Sequence, residues 1–160
     1  MLPAIQVRGE WYRCVSLRRD PLSTEGALLL GGRLNPPGVS ALYLAATPAL
    51  AVAEHLQLGG YYGVRAFPPR LLVTVRVALS RVADLCDEHV LRLAGVTPVE
   101  MMSQWRSTPG DAAVQQLGTR LMLEGFQAAR FPSAVDTSAA NLVVFIEHLD
   151  DTCVLELVGQ

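Results

Sequence analysis

Arg33 sits in the run Gly31-Gly32-Arg33-Leu34-Asn35-Pro36-Pro37-Gly38, Tyr43 follows in Leu42-Tyr43-Leu44, and Glu54 closes Ala51-Val52-Ala53-Glu54. A cation, a phenol and a carboxylate thus stand within sequence that is otherwise apolar or turn-forming. Because glycine adds no side-chain bulk, an arginine flanked by glycines can bring its guanidinium and bare backbone against the same anion. The same glycines and prolines are what an ordinary turn requires, so from this segment alone both readings stand.

The elements that must position these residues are well punctuated. Trp11 to Leu17 alternates, with Trp11, Arg13, Val15 and Leu17 on one side, which predicts a strand and places Arg13 among apolar neighbours. Ala41 to Ala45 is a short apolar run after the Gly/Pro turn and predicts a buried strand carrying Tyr43. Thr47-Pro48, Thr97-Pro98 and Thr108-Pro109 each set an N-cap candidate before a proline suited to the first helical position, with Glu100 and Asp111 at the capping-box spacing. Three helix starts are therefore expected. The first buries Ala49, Val52, Ala53 and Leu56, with Glu54 at the border of that face, and the third places Val114, Leu117 and Leu121 at core spacing and stops near Gly125. Leu71 to Leu79 alternates as a one-sided antiparallel strand does, and Asn141 to Ile146 and Cys153 to Val158 complete the strands, with Asp150-Asp151 as a solvated turn between them. Strands and helices without regular alternation predict an α+β fold, a mainly antiparallel strand core flanked by helices.

Composition bounds the function. With 160 residues, 51% hydrophobic and 18% charged, the chain can bury one sizeable core and is expected to form a single domain over 1–160. A net charge of -2 argues against direct nucleic-acid binding over a broad basic surface, while a small anionic ligand fits. Cys14, Cys86 and Cys153 are scattered and odd in number, which predicts no disulfide framework and a reducing compartment. No basic segment leading into an apolar core opens the chain, and Ala41 to Ala53, broken by Thr47 and Pro48, is too short to span a bilayer, so a cytoplasmic protein without membrane contact is expected. Cys86 and His89 have a metal-site spacing, but no second pair completes a tetrahedral set. The Gly31 to Gly38 loop lacks the Gly-Lys-Ser/Thr ending of a P-loop. No Gly-x-Ser-x-Gly elbow surrounds Ser133, and His55, His89 and His148 lie in no order that ties them to it.

Taken together, these residues resemble the RES domain family, named for a conserved arginine, glutamate and serine and found as the toxin of bacterial RES-Xre toxin-antitoxin pairs. The family's Gly-Gly-Arg-Trp-Asn signature falls on Gly31 to Asn35, with Leu34 where tryptophan is usual, and its tyrosine falls on Tyr43. Its glutamate falls on Glu54, its serine on Ser133 within Phe131-Pro132-Ser133-Ala134, its earlier arginine on Arg13 after Tyr12, and its Asn-Leu-Val-x-Phe strand on Asn141 to Phe145. The resemblance runs in order from Tyr12 to Phe145 and implies a fold like that of ADP-ribosyltransferases. It also implies consumption of NAD, without a metal, by hydrolysis, phosphorolysis or transfer of ADP-ribose to a protein.

On that resemblance the residues take roles that their chemistry permits. Cleaving the nicotinamide-ribose bond builds oxocarbenium character that a carboxylate at Glu54 would stabilise, or Glu54 could accept from a ribose hydroxyl. Arg13 and Arg33 would hold the pyrophosphate, Tyr43 would pack the nicotinamide, and Ser133 would hydrogen-bond the ribose or the amide. Without it, Glu54 reads as a solvated helix glutamate, Tyr43 as a core tyrosine and Ser133 as a turn serine, while Arg13 stands evenly between a phosphate ligand and an edge-strand arginine covering apolar surface. The implied partners are NAD and an Xre-type helix-turn-helix antitoxin, with homo-oligomerisation left open. A binding-only module is the alternative to an enzyme, left open by the change at Leu34.

Overall fold

Two alternating segments form the long antiparallel pair on which the rest is built. In the computed structural model, which describes residues 1–61, 69–108 and 110–159, β1 (Ile5–Ser16) pairs with β3 (Arg70–Asp84) from Ile5 opposite Val82 to Ser16 opposite Arg70. Val7, Trp11 and Val15 of β1 and Val73, Val75, Val77 and Leu79 of β3 enter one buried cluster, as alternate residues of paired strands must. Leu17 and Leu71, expected on that face, are exposed because they flank the point where the ladder ends.

Between these strands lie α1 (Glu25–Leu30), β2 (Ala41–Ala45) and α2 (Pro48–Tyr61). After them come α3 (Glu88–Ala94), α4 (Pro98–Met101), a 3-10 turn (Trp105–Ser107), α5 (Ala113–Leu123), β4 (Ala128–Pro132), β5 (Ala140–Phe145), a second 3-10 turn (Ile146–His148) and β6 (Val154–Leu157). The sheet order is β1-β2-β5-β4-β3-β6, and the β1–β3 pairing closes the first five strands into a barrel-like ring. β3 and β4 run parallel from Val82 opposite Ala128 to Asp84 opposite Arg130, while every other pairing is antiparallel. The expected mainly antiparallel core is therefore partly parallel. The chain between β3 and β4 carries α3 to α5, a helical crossover of the kind that parallel neighbours need. The ring closes least tightly between β1 and β2, where the only register pair among the described residues is Tyr12 opposite Ala45.

Burial on both faces explains the apolar runs. Leu142 and Val144 of β5 face the cluster inside the ring, while Val143 and Phe145 face a second cluster that packs against α3 to α5. That second cluster contains Leu34, Met101, Val114, Leu117, Leu121 and Phe126. Thr97 and Glu100 form the expected capping box of α4, and Thr47 accepts from the Leu50 amide at the start of α2. The third expected start differs: Pro109 lies outside the described residues, Thr108 accepts from the amides of Asp111 and Ala112 in a turn, and α5 begins at Ala113.

Candidate active site

The glycine-rich segment folds as a tight hairpin. Gly32 and Asn35 pair across it, with the Gly32 amide donating to the Asn35 carbonyl at 2.9 Å, which leaves Arg33 and Leu34 at the reversal. Leu34 goes fully into the core and Arg33 goes to the other side. Three groups fix the hairpin. The Asn35 amide nitrogen donates to the carbonyls of Ala27 at 3.0 Å, Val39 at 2.9 Å and Pro36 at 3.2 Å. The Tyr43 hydroxyl donates to Asn35 Oδ1 at 2.7 Å and accepts from the Leu34 amide at 2.9 Å. Buried Gln115 of α5 donates to the carbonyls of Gly32 at 2.9 Å and Asn35 at 3.1 Å, and accepts from the Gly110 amide. Two glycines permit the packing: a Cβ on Gly32 would lie 2.5 Å from the Tyr43 hydroxyl oxygen, and one on Gly118 would lie 1.7 Å from the Leu34 carbonyl oxygen.

Arg33 donates through Nη1 to the carbonyls of Met101 at 2.8 Å and Ser103 at 2.9 Å, at the end of α4. Among the described residues its Nε and Nη2 donors have no hydrogen-bond partner, so an anchored guanidinium still presents donors to a ligand. Burial pushes its pKa below the ordinary arginine value and Arg106 pushes it further, while Glu54 and Tyr43 oppose both. Arginine remains protonated under such pressure, so a partly desolvated cation results.

Glu54 is held from the far side. Its Oε1 accepts from Ser133 Oγ at 2.6 Å and from Asn141 Nδ2 at 2.7 Å. Ser133 Oγ in turn accepts from the amides of Val135 at 3.0 Å and Asp136 at 3.2 Å, which commits its single proton to Glu54. Oε2 of Glu54 has no hydrogen-bond partner among the described residues. Asn141 Oδ1 is buried and unpartnered among them, an arrangement that costs about 1–3 kcal/mol when no compensation exists.

Arg13, Arg33, Tyr43, Glu54, Arg106 and Asn141 all line one cavity of about 650 Å³, which takes part of its lining from the loosely paired β1 and β2. That volume lies within the usual range for ligand sites. Among the described residues, three arginines against one carboxylate make it a site for an anion. Arg13 donates to the Ser23 carbonyl at 3.2 Å; burial lowers its pKa and Asp20 partly restores it. The Tyr43 phenol, buried and hydrogen-bonded both ways, has its pKa pushed up mainly by that burial.

The structure brings Arg13, Arg33, Tyr43 and Glu54 to this cavity, but not in equal ways. Ser133 is fully buried behind Glu54 and its hydroxyl faces the carboxylate. Tyr43 offers only its ring, set edge-on to Phe131 at 6.2 Å, because its hydroxyl holds the hairpin. Sequence reading missed Arg106 and Asn141. Arg106 lies 4.3 Å over the Trp105 ring, and the Trp-Arg pair between two Thr-Pro caps was its one local signal. Asn141 reads locally as one more strand residue, since Glu54 is 87 residues away in the chain. Cys86 belongs to the connection into α3 and His89 to its first turn, where Asp84 accepts from the Cys86 amide and Asp87 accepts from the His89 amide as the helix cap.

Among solved structures, the chain is similar to one chain of the crystal structure of the M. tuberculosis MbcT-MbcA toxin-antitoxin complex. The TM-score is 0.70 at 22% identity, over 96% of this chain and 84% of that one, a likeness of fold. No curated protein matches the chain. Residues 10–156 match the RES domain, and across that span the Arg33 hairpin, Tyr43, Glu54 and Ser133 fall in one continuous arrangement around the cavity. The protein belongs to the RES domain family.

Proposed function

We propose that this protein is a NAD-consuming toxin with an ADP-ribosyltransferase-like fold, cleaving the bond between nicotinamide and ribose and neutralised in the cytoplasm by an Xre-type antitoxin. The observation that carries this reading is the pairing, across one cavity, of an anchored arginine with open donors and a glutamate with one oxygen engaged and one open. Family membership and the likeness of fold to a chain of a toxin-antitoxin complex support the toxin and antitoxin parts.

In this reading Arg33 and Arg13 grip the pyrophosphate, whose two negative charges match a fork of donors, and Arg106 adds a third cation to the same wall. The Tyr43 ring packs the nicotinamide. As the glycosidic bond breaks, its electron pair passes to the nicotinamide nitrogen, which becomes neutral, and positive charge develops at the ribose carbon. Oε2 of Glu54 stabilises that charge or holds a ribose hydroxyl, while the two contacts donated to Oε1 hold the carboxyl group in place. Attack by water yields ADP-ribose and a proton, and attack by inorganic phosphate yields the phosphorylated sugar. Ser133 acts through Glu54 and not on the substrate.

The test is nicotinamide release from NAD by purified protein, with and without inorganic phosphate, beside Glu54→Ala and Arg33→Ala. Release by wild type that is lost in both variants supports cleavage, and a phosphate requirement identifies phosphorolysis. If labelled protein forms instead of free product, the enzyme is a protein ADP-ribosyltransferase. Intact NAD alongside retained antitoxin binding leaves a binding module.

A further inference from the structure

Resting on the reading of Glu54 given above, we propose that Asn141 is a positioning residue that works with Ser133 to saturate Oε1 of Glu54, so that Oε2 alone meets the ligand. Three observations converge on it. Asn141 Nδ2 lies 2.7 Å from Oε1, and an amide nitrogen can only donate, so this contact occupies Oε1 as an acceptor. The Ser133 proton is committed to the same oxygen at 2.6 Å by the two backbone amides that its own oxygen accepts. Asn141 Oδ1, buried in a residue only 8% exposed, has no partner among the described residues, so the amide is oriented for the carboxylate and not for its own full satisfaction.

The two donors come from different strands' ends, Ser133 just after β4 and Asn141 within β5, and these strands pair directly at Phe131 opposite Asn141. The clamp is therefore built on sheet, while Glu54 is carried by α2. Among the described residues, the charged and titratable groups that share the cavity with Glu54 are Tyr12, Arg13 and Cys14 of β1, Arg33 of the hairpin, Tyr43 of β2, His55 of α2 and Arg106 of the 3-10 turn. Exposed Asp136 lies beyond Ser133.

Asn141→Asp is the decisive variant, because it replaces the donor by a near-isosteric carboxylate beside Oε1. Two carboxylates so placed share one proton to a higher pH than either would alone. The acid limb of the pH profile of nicotinamide release should then move up by about one unit or more. Asn141→Ala should lower kcat on the order of 100-fold with KM for NAD within about threefold of wild type. A merely structural asparagine would leave the acid limb where it was, which would overturn the proposal.

A second readout needs no turnover. In folded Asn141→Asp the pair holds its proton to higher pH than the separated carboxylates of the unfolded chain. Stability relative to wild type is therefore retained below the ordinary carboxylate range and lost as pH rises. An unfolding midpoint offset that is the same at pH 4 and pH 8 would overturn the clamp. Wild type that leaves NAD intact would instead overturn the proposed function while this measurement still stands. Should Asn141→Asp fail to fold, a urea-unfolding cycle of Asn141→Ala with Glu54→Gln decides: non-additive losses support the contact, and additive losses overturn it.

Discussion

Gly118 of α5 is the position where a single methyl group should do most damage at a distance. Replacing a helix-interior glycine by alanine ordinarily stabilises by about 1 kcal/mol, because alanine loses less backbone freedom on folding. Here the new Cβ would lie 1.7 Å from the Leu34 carbonyl oxygen and 2.6 Å from its carbon, both backbone atoms. Separating oxygen and carbon to 3.0 Å takes about 1.3 Å of movement, and the hairpin that must move is tied down by Tyr43, Gln115 and Asn35. Overpacking of this kind costs about 1–3 kcal/mol, more where backbone is fixed, so the clash outweighs the propensity gain and Gly118→Ala loses about 2 kcal/mol net. Urea unfolding at unchanged m-value reads this directly, with an expected fall of roughly 4–8 °C in Tm for a chain of this size. Because Arg33 is next to Leu34, NAD affinity should fall along with stability. A variant as stable as wild type, or more so, would refute the close helix-hairpin contact.

Tyr43→Phe removes the hydroxyl that serves both Asn35 Oδ1 and the Leu34 amide, and unfolding by urea should show a loss of about 2 kcal/mol, with the ring itself still in place. Arg33→Lys keeps the charge but cannot serve the Met101 and Ser103 carbonyls and a phosphate together, so calorimetry should show NAD affinity reduced about tenfold or more. Burial pushes the Cys86 thiol up from the ordinary 9.0 to about 11, so at pH 8 its alkylation rate in the folded protein should be on the order of 100-fold below that of a free thiol. The folded state favours the protonated thiol, so this group's contribution to stability is intact below pH 9.0 and is lost as pH rises towards about 11, which a Cys86→Ala comparison would read out.

What could be read in the sequence was what short-range patterns carry. Alternation at Trp11 and Leu71 located β1 and β3, and the Thr97, Pro98, Glu100 triple located a helix start, because both signals are complete within a few residues. β4 gave no such signal: Ala128 to Pro132 borders a parallel neighbour and is largely buried, so its residues do not alternate. The third helix start shows where local chemistry was outweighed, since Asp111 and Ala112 bond back to the Thr108 carbonyl and the Gly110 amide donates to Gln115 before α5 begins. At the site, the residues presented by the hairpin, β2 and α2 were identifiable by type, whereas their division of labour was not. That Ser133 lies behind the wall, and that Arg106 and Asn141 join it, depends on contacts between segments far apart in sequence.

The loose seam between β1 and β2 bears on how ligand and fold are linked. Sheet strands normally satisfy one another's backbone groups, yet among the described residues these two pair only at Tyr12 and Ala45, and both contribute residues to the cavity lining. A molecule that fills the gap and touches both sides acts as a strut across the one weakly joined edge of the ring. Occupancy would therefore reinforce the seam mechanically, and hydrogen exchange should slow first at β1 and β2, far more than at the already continuous β1–β3 ladder.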